Sequence, residues 1–204
     1  MPKVTSHIKS TRGKEIKCSK CSAAIGPKEQ YRKWSKRVGF GRISGITYYR
    51  CSKPECYPKG SELLSGRAAE IASFSESLND IGCRDIQESI DRLHDLKDDV
   101  ENFMDECQSS FDNMPEGLQQ GPTGELLETR VDQASEVINS IEQAICELEE
   151  LVDDMDDEDN LENYLYGDES MDDPDILDTL QERKHEDIEA RVERTICDLS
   201  IDID

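Results

Sequence analysis

Four cysteines, spaced Cys18-x2-Cys21 and Cys51-x4-Cys56, constrain this chain more than any other feature. A Cys-x2-Cys pair makes a tight knuckle whose two thiolates converge on one tetrahedral centre, and a second pair from a distant strand or turn closes the site. The surrounding segment is too short to bury an independent core without such a staple. The spacing therefore predicts one structural Zn²⁺ per chain, held by Cys18, Cys21, Cys51 and Cys56. Four thiolates leave no open coordination position, so the role is structural rather than catalytic. A disulfide pair or a redox Cys-x2-Cys are the alternatives; the redox reading wants a thioredoxin-like βαβ context, which the sequence lacks. Lys17, Lys20, Arg50 and Lys53 stand close enough along the chain to offset the thiolate charge. His7, the nearest other ligand type, is read as a bystander.

Charge divides the chain at about the same place as its texture. The whole carries a net charge of −23, but residues 1–60 hold 15 Lys/Arg against Glu15, Glu29 and Glu55, a net of +12, leaving −35 for the rest. Two charge regimes imply two functional parts that attract each other at low salt. There is no apolar run of about 18 residues to cross a membrane. Met1 to Ser10 has no apolar core of a secretory signal, and clustered cysteines without such a signal point to a reducing compartment. The expected location is the cytoplasm.

The expected fold is a small zinc-stapled, β-rich module of zinc-ribbon or finger type, followed by an all-α acidic helical hairpin or coiled coil. Residues 1–12 read as a flexible basic arm and 13–60 as the four-cysteine zinc module, with strands at Tyr31 to Trp34 and Ile46 to Arg50 and Gly39, Gly41 and Gly45 in the loop between them. Residues 61–152 read as the helical region. One helix is expected over 62–79, with Leu63, Leu64, Ala68, Ile71 and Leu78 apolar and Gly82 as its breaker. A longer one carries Ile86, Ile90, Leu93, Val100, Phe103, Cys107 and Phe111 on one stripe. Asn113 to Gly124 is a connector, and Thr123 can cap the next helix. That helix repeats Leu127, Val131, Ala134, Ile138, Ile141, Ile145, Leu148 and Val152 at alternating fours and threes, a heptad seam. Two such helices joined by a short loop pack most simply as an antiparallel hairpin, with an intermolecular coiled coil as the competitor. Residues 153–174 form an acidic, disordered linker: 153–173 hold 11 acids and no base. Residues 175–204 hold a last helix with Ile176, Leu180, Ile188, Val192, Ile196 and Leu199 as its stripe. The scattered Cys83, Cys107, Cys146 and Cys197 read mostly as small buried hydrophobes.

In the basic part, Tyr31, Trp34, Phe40, Tyr48 and Tyr49 interleave with cations. Basic charge neutralises phosphates by counterion release and aromatic rings stack on bases. Lys20, Arg32, Lys33, Trp34, Lys36, Arg37, Arg42, Arg50 and Lys53 are the candidate nucleic-acid contacts. The competing reading puts the aromatics in a small core and docks the charges on the chain's own acidic half.

The segments KCSKCSAAIGPKEQYRKW and YYRCSKPEC resemble the N-terminal zinc module of tailed-bacteriophage proteins of unassigned function. DNMPEGLQQGPTGELLETRVD resembles the middle of the same proteins. The resemblance implies a viral protein acting in a bacterial host cell. A second similarity is to the zinc finger of poly(ADP-ribose) polymerases, in the Cys-x2-Cys opening, the long spacer and the aromatic-basic content. That finger uses a histidine as third ligand and a shorter final spacing, so no base-contacting residue is carried over.

Three functions of different class follow. The first is a nucleic-acid-binding adaptor, gripping DNA or RNA through residues 1–60 and a host or phage protein through its acidic helices. The second is an inhibitor whose acidic helices imitate the phosphates of DNA and occupy a host DNA-binding or defence protein. The third is a virion-associated or assembly protein that oligomerises through its helices. No nucleophile elbow, phosphate-cradling glycine loop or open metal site is present in the sequence, so no enzyme activity is expected.

Overall fold

The computed structural model describes residues 3–10, 12–38, 44–81, 85–156, 161, 163–165 and 174–203. They fall into two compact units, Met1–Glu76 and Ser77–Asp204. The arrangement is a small β-sheet region with a cysteine cluster followed by a mostly helical region.

In the first unit, strand β1 is Thr5–Ile8, β2 Ile16–Lys17, β3 Ala24–Ile25, β4 Gln30–Val38 and β5 Ser44–Cys51. β4 and β5 pair antiparallel, with Tyr31 opposite Cys51, Lys33 opposite Tyr49 and Trp34 opposite Tyr48. Both outrun the strands expected from sequence because the residues beyond their hydrophobic centres still find ladder partners. β1 pairs along the other edge of β4, giving the order β1-β4-β5. This corrects the flexible-arm reading of residues 1–12 at Thr5–Ile8. Thr5–Ile8 has no apolar alternation, but its backbone groups satisfy an edge of β4 that would otherwise stand open. Gly39 and Gly41 of the expected loop lie outside the described residues, and Gly45 belongs to β5. β2 and β3 form a separate two-stranded ribbon that buries Ile25.

Two short helices complete this unit: α1, Gly60–Leu63, and α2, Arg67–Asn79, whose residues up to Glu76 belong here. The single helix expected over 62–79 is interrupted because the chain turns through Gly66 at φ +61°. Glu76 ties the two together, accepting from the Ser61 backbone N–H at 2.9 Å and its hydroxyl at 2.6 Å. Phe74 is the buried residue of α2, and Ala68, expected on the stripe, is exposed.

The second unit is built on α3, Ile86–Asp112, and α5, Pro122–Asp156, joined through the single turn α4, Glu116–Gln119. Asp85 caps α3, accepting from the Glu88 N–H. Ile90, Leu93, Leu96, Val100, Phe103 and Cys107 form its buried face. The expected seam of α5 is buried at Leu127, Ala134, Ile138, Ile141, Ile145 and Leu148, and half-buried at Val131 and Val152. Between the two helices, Lys97 reaches Glu142 at 2.7 Å, and that carboxylate holds the Lys97 ammonium above its ordinary pKa. Thr123 is not the cap: α5 begins at Pro122, whose fixed φ suits a first helical position.

The last helix, α6, is Pro174–Cys197. It packs on α5, with Arg191 by Asp154 and Thr195 donating to Glu147. Leu180, Ile188, Val192 and Ile196 are buried, as expected; Ile176 and Leu199 are half-buried. Because α5 is covered by two helices, it buries Val137, Ala144 and Leu151 beside the seam. Of the acidic linker, residues 153–156 belong to α5, and most of the remainder lies outside the described residues, as do Gly82 and Cys83. Cys107 is buried as expected, but Cys146 and Cys197 are exposed, on the outward faces of α5 and α6. No helix among the described residues is long and apolar enough to cross a membrane.

Candidate metal centre

The ribbon, β5 and the turn after it bring the four cysteines of the sequence motif together. Cys18 follows β2, Cys21 precedes β3, Cys51 ends β5, and Cys56 closes the short 3₁₀ turn Pro54–Cys56. Their sulfurs all lie within 4.8 Å of one another, with Cys21 Sγ and Cys51 Sγ 3.8 Å apart. A metal bound by sulfur at about 2.3 Å in tetrahedral geometry sets its ligands about 3.8 Å apart. The set thus fits a single ion with only small adjustments. Cys18 and Cys56 are buried, Cys51 half-buried and Cys21 exposed, so one sulfur faces solvent.

The knuckle is shaped by backbone hydrogen bonds. Cys18 N–H donates to Ala23 O and Ser22 N–H to Cys18 O, both at 2.9 Å, and Ser22 takes φ 58° to close the turn. Burial pushes the Cys18 thiol up, but hydrogen bonds from the backbone of Cys21, Cys51 and Lys20 outweigh it and bring the pKa down to about 6. Burial, then hydrogen bonding among the sulfurs, raises Cys56 to about 12. Metal binding at neutral pH therefore has to displace protons from the cluster.

The knuckle also closes the free edge of the sheet. Ser19 N–H donates to Tyr49 O at 2.7 Å, and Tyr49 N–H donates to Ser19 Oγ at 3.1 Å. Strand alternation then sorts the candidate contacts. On one side of the sheet, Trp34 is buried and stacks on Tyr48 at 5.4 Å between centroids, and the Arg50 guanidinium lies 5.3 Å from the Trp34 ring. Arg50 is itself buried and ion-paired with Glu62 of α1. Lys36 donates to Ser61 O, and Arg32 sits 3.5 Å over the Tyr57 ring. Trp34 and Arg50 therefore do not serve as surface contacts, and Arg50 faces away from the sulfurs, because residues alternate across a strand and Cys51 is its neighbour.

The other side carries Lys33 with Tyr31, Tyr49 and His7. His7 stacks on Tyr31 at 5.5 Å and Tyr31 meets Tyr49 at 6.0 Å. His7 Nε2 also bonds Thr5 Oγ1, and it is outside the sulfur cluster, as expected. Lys20 and Lys53 are exposed. The side chain of Arg37 and all of Arg42 lie outside the described residues. Tyr31 and Tyr49 were among the aromatics read from sequence as able to stack on bases, but their separation from Trp34 by face, and His7's place beside them, were not. The adjacency of Tyr48 and Tyr49 was the signal for that separation, because neighbours on a strand point to opposite faces.

Comparison of the chain with known protein families, with curated proteins and with solved structures finds no match.

Proposed function

We propose that the protein is a non-enzymatic nucleic-acid-binding adaptor. Its basic unit, held together by one structural Zn²⁺, contacts DNA or RNA, and its acidic helical unit recruits a protein partner. The observation that carries this reading is the segregation of charge onto separately compact units: +10 over residues 1–76 and −33 over 77–204. So large a positive excess exceeds what solubility asks of a small domain, and phosphate is its natural counter-charge. Zinc is favoured as the ion because four thiolates with no open position are its preferred structural donor set. The resemblance to tailed-phage proteins supports a viral origin and a site of action in the bacterial cytoplasm.

The test is fluorescence anisotropy of the zinc-loaded full chain, and of residues 1–76, against short labelled duplex and single strands over a salt series. Binding is expected to weaken linearly in log–log form as salt rises. Residues 1–76 are expected to bind at least as tightly as the full chain, whose acidic unit competes for the same cations. Absence of salt-sensitive binding by both proteins refutes the proposal.

A further inference from the structure

We infer that the side of the β1-β4-β5 sheet opposite α1 is a stacking platform for a single-stranded nucleic acid, with Tyr31 and Tyr49 as the base-stacking rings and His7 beside them. This rests on the nucleic-acid reading above and names its ligand class and its contact face.

The register builds the platform. His7 lies opposite Tyr31 across β1 and β4, and Lys33 lies opposite Tyr49 across β4 and β5, so all four side chains share one face. The rings form a continuous row over the three strands, 5.5 Å and then 6.0 Å between centroids. Tyr31 and Tyr49 are half-buried and His7 is exposed, so ring surface remains open to solvent. Rings needed only for a core belong on the other face, where Trp34 is sealed and α1 is joined through Arg50 and Lys36. Aromatic side chains on an open sheet face typically receive two or three unstacked bases.

Charge and rigidity favour the same occupant. β1, β4, β5 and the Cys18–Cys21 knuckle contain no Asp or Glu. Lys33 lies within the row, and Lys20 and Lys53 are exposed, one residue after Ser19 and two after Cys51. These cations match a backbone running past the rings. Tyr49 is fixed from both sides: its backbone is bonded to Ser19 of the knuckle, and Cys51 two residues on supplies a sulfur to the cluster. A platform held in place before binding loses little entropy on binding. A duplex, whose bases are already stacked on one another, offers the rings nothing to stack on and would use the cations alone.

The test measures oligo(dT) and duplex affinity of the zinc-loaded full chain carrying Tyr31→Leu or Tyr49→Leu, with Tyr31→Phe and Tyr49→Phe as matched controls. Each Leu variant is expected to lose about five- to 150-fold in single-strand affinity, the range of one base–ring stack. Duplex affinity should be unchanged, and the Phe variants should behave as wild type. Unchanged zinc content and Trp34 emission establish that the variants are folded. A second readout needs no variant: titrating oligo(dT) into the wild-type protein should shift the ring resonances of Tyr31, Tyr49 and His7 in NMR spectra. Equal, salt-sensitive binding of single strand and duplex, indifferent to the rings, overturns the platform and leaves nucleic-acid binding standing. Static ring resonances during saturating oligo(dT) binding also overturn it. No binding of either form overturns both.

Discussion

At the scale of single residues, the cysteine cluster depends on one backbone angle as much as on its sulfurs. Ser22 takes φ 58° and sends its N–H to Cys18 O, which turns the chain back from the knuckle into β3. A β-branched side chain resists that conformation. Ser22→Val is expected to destabilise the metal-loaded protein by about 1–2 kcal/mol, whereas Ser22→Gly should not; denaturant unfolding followed by Trp34 emission measures both. The clustering of the four cysteines was legible in the sequence because paired Cys-x2-Cys and Cys-x4-Cys spacings each keep two sulfurs close, and β5 brings the second pair to the first. Arg50 was not legible as an interior residue, and Trp34 was legible only as one of two open readings. A lone aromatic or arginine on a strand reads the same whichever face is covered, and here Tyr48 and Arg50 lie against Trp34 while Glu62 of α1 pairs with Arg50.

At the scale of elements, the tightest joint is between α4 and α5. A Cβ on Gly124 would run into Gln119 O and stand 2.5 Å from its carbonyl carbon, and these are backbone atoms that cannot step aside. Gly124→Ala should therefore force the joint open and cost about 1–3 kcal/mol. Gly117, in α4, has nothing within 4 Å of such a Cβ; Gly117→Ala should be neutral or stabilise by roughly 0.5–1 kcal/mol. Paired thermal melts of the two variants decide the matter, and an unshifted Tm for Gly124→Ala would refute the joint. The two long helices were legible because their stripes repeat over many turns. The extra row Val137, Ala144 and Leu151 was not, because those positions are buried in a helix with neighbours on two sides, and a stripe read on one helix does not count its neighbours. Thr5–Ile8 was missed for the complementary reason: an edge strand can be held by backbone pairing alone, without a hydrophobic pattern of its own.

At the scale of the whole molecule, the two units rest on different physics. The first has a thin core in which Cys18 and Cys56 are themselves among the most buried residues, each 2% exposed. The second has a continuous apolar interior along α3, α5 and α6, and none of its described cysteines belongs to the cluster. Metal removal with a strong chelator is therefore expected to red-shift the emission of Trp34 while leaving most of the far-UV helical signal in place. An unshifted Trp34 emission after complete chelation would show that the sheet stands without the metal. The cysteine spacing, the heptad rhythm and the division of charge are patterns along the chain. From them the composition of each part could be read: a basic module with a cysteine cluster, then acidic helices. Which rings and cations remain outside depends on how Trp34, Tyr48 and Arg50 pack on one side of the sheet and on Glu62 of α1 pairing with Arg50. Those contacts join residues distant in sequence, and no periodicity along the chain records them.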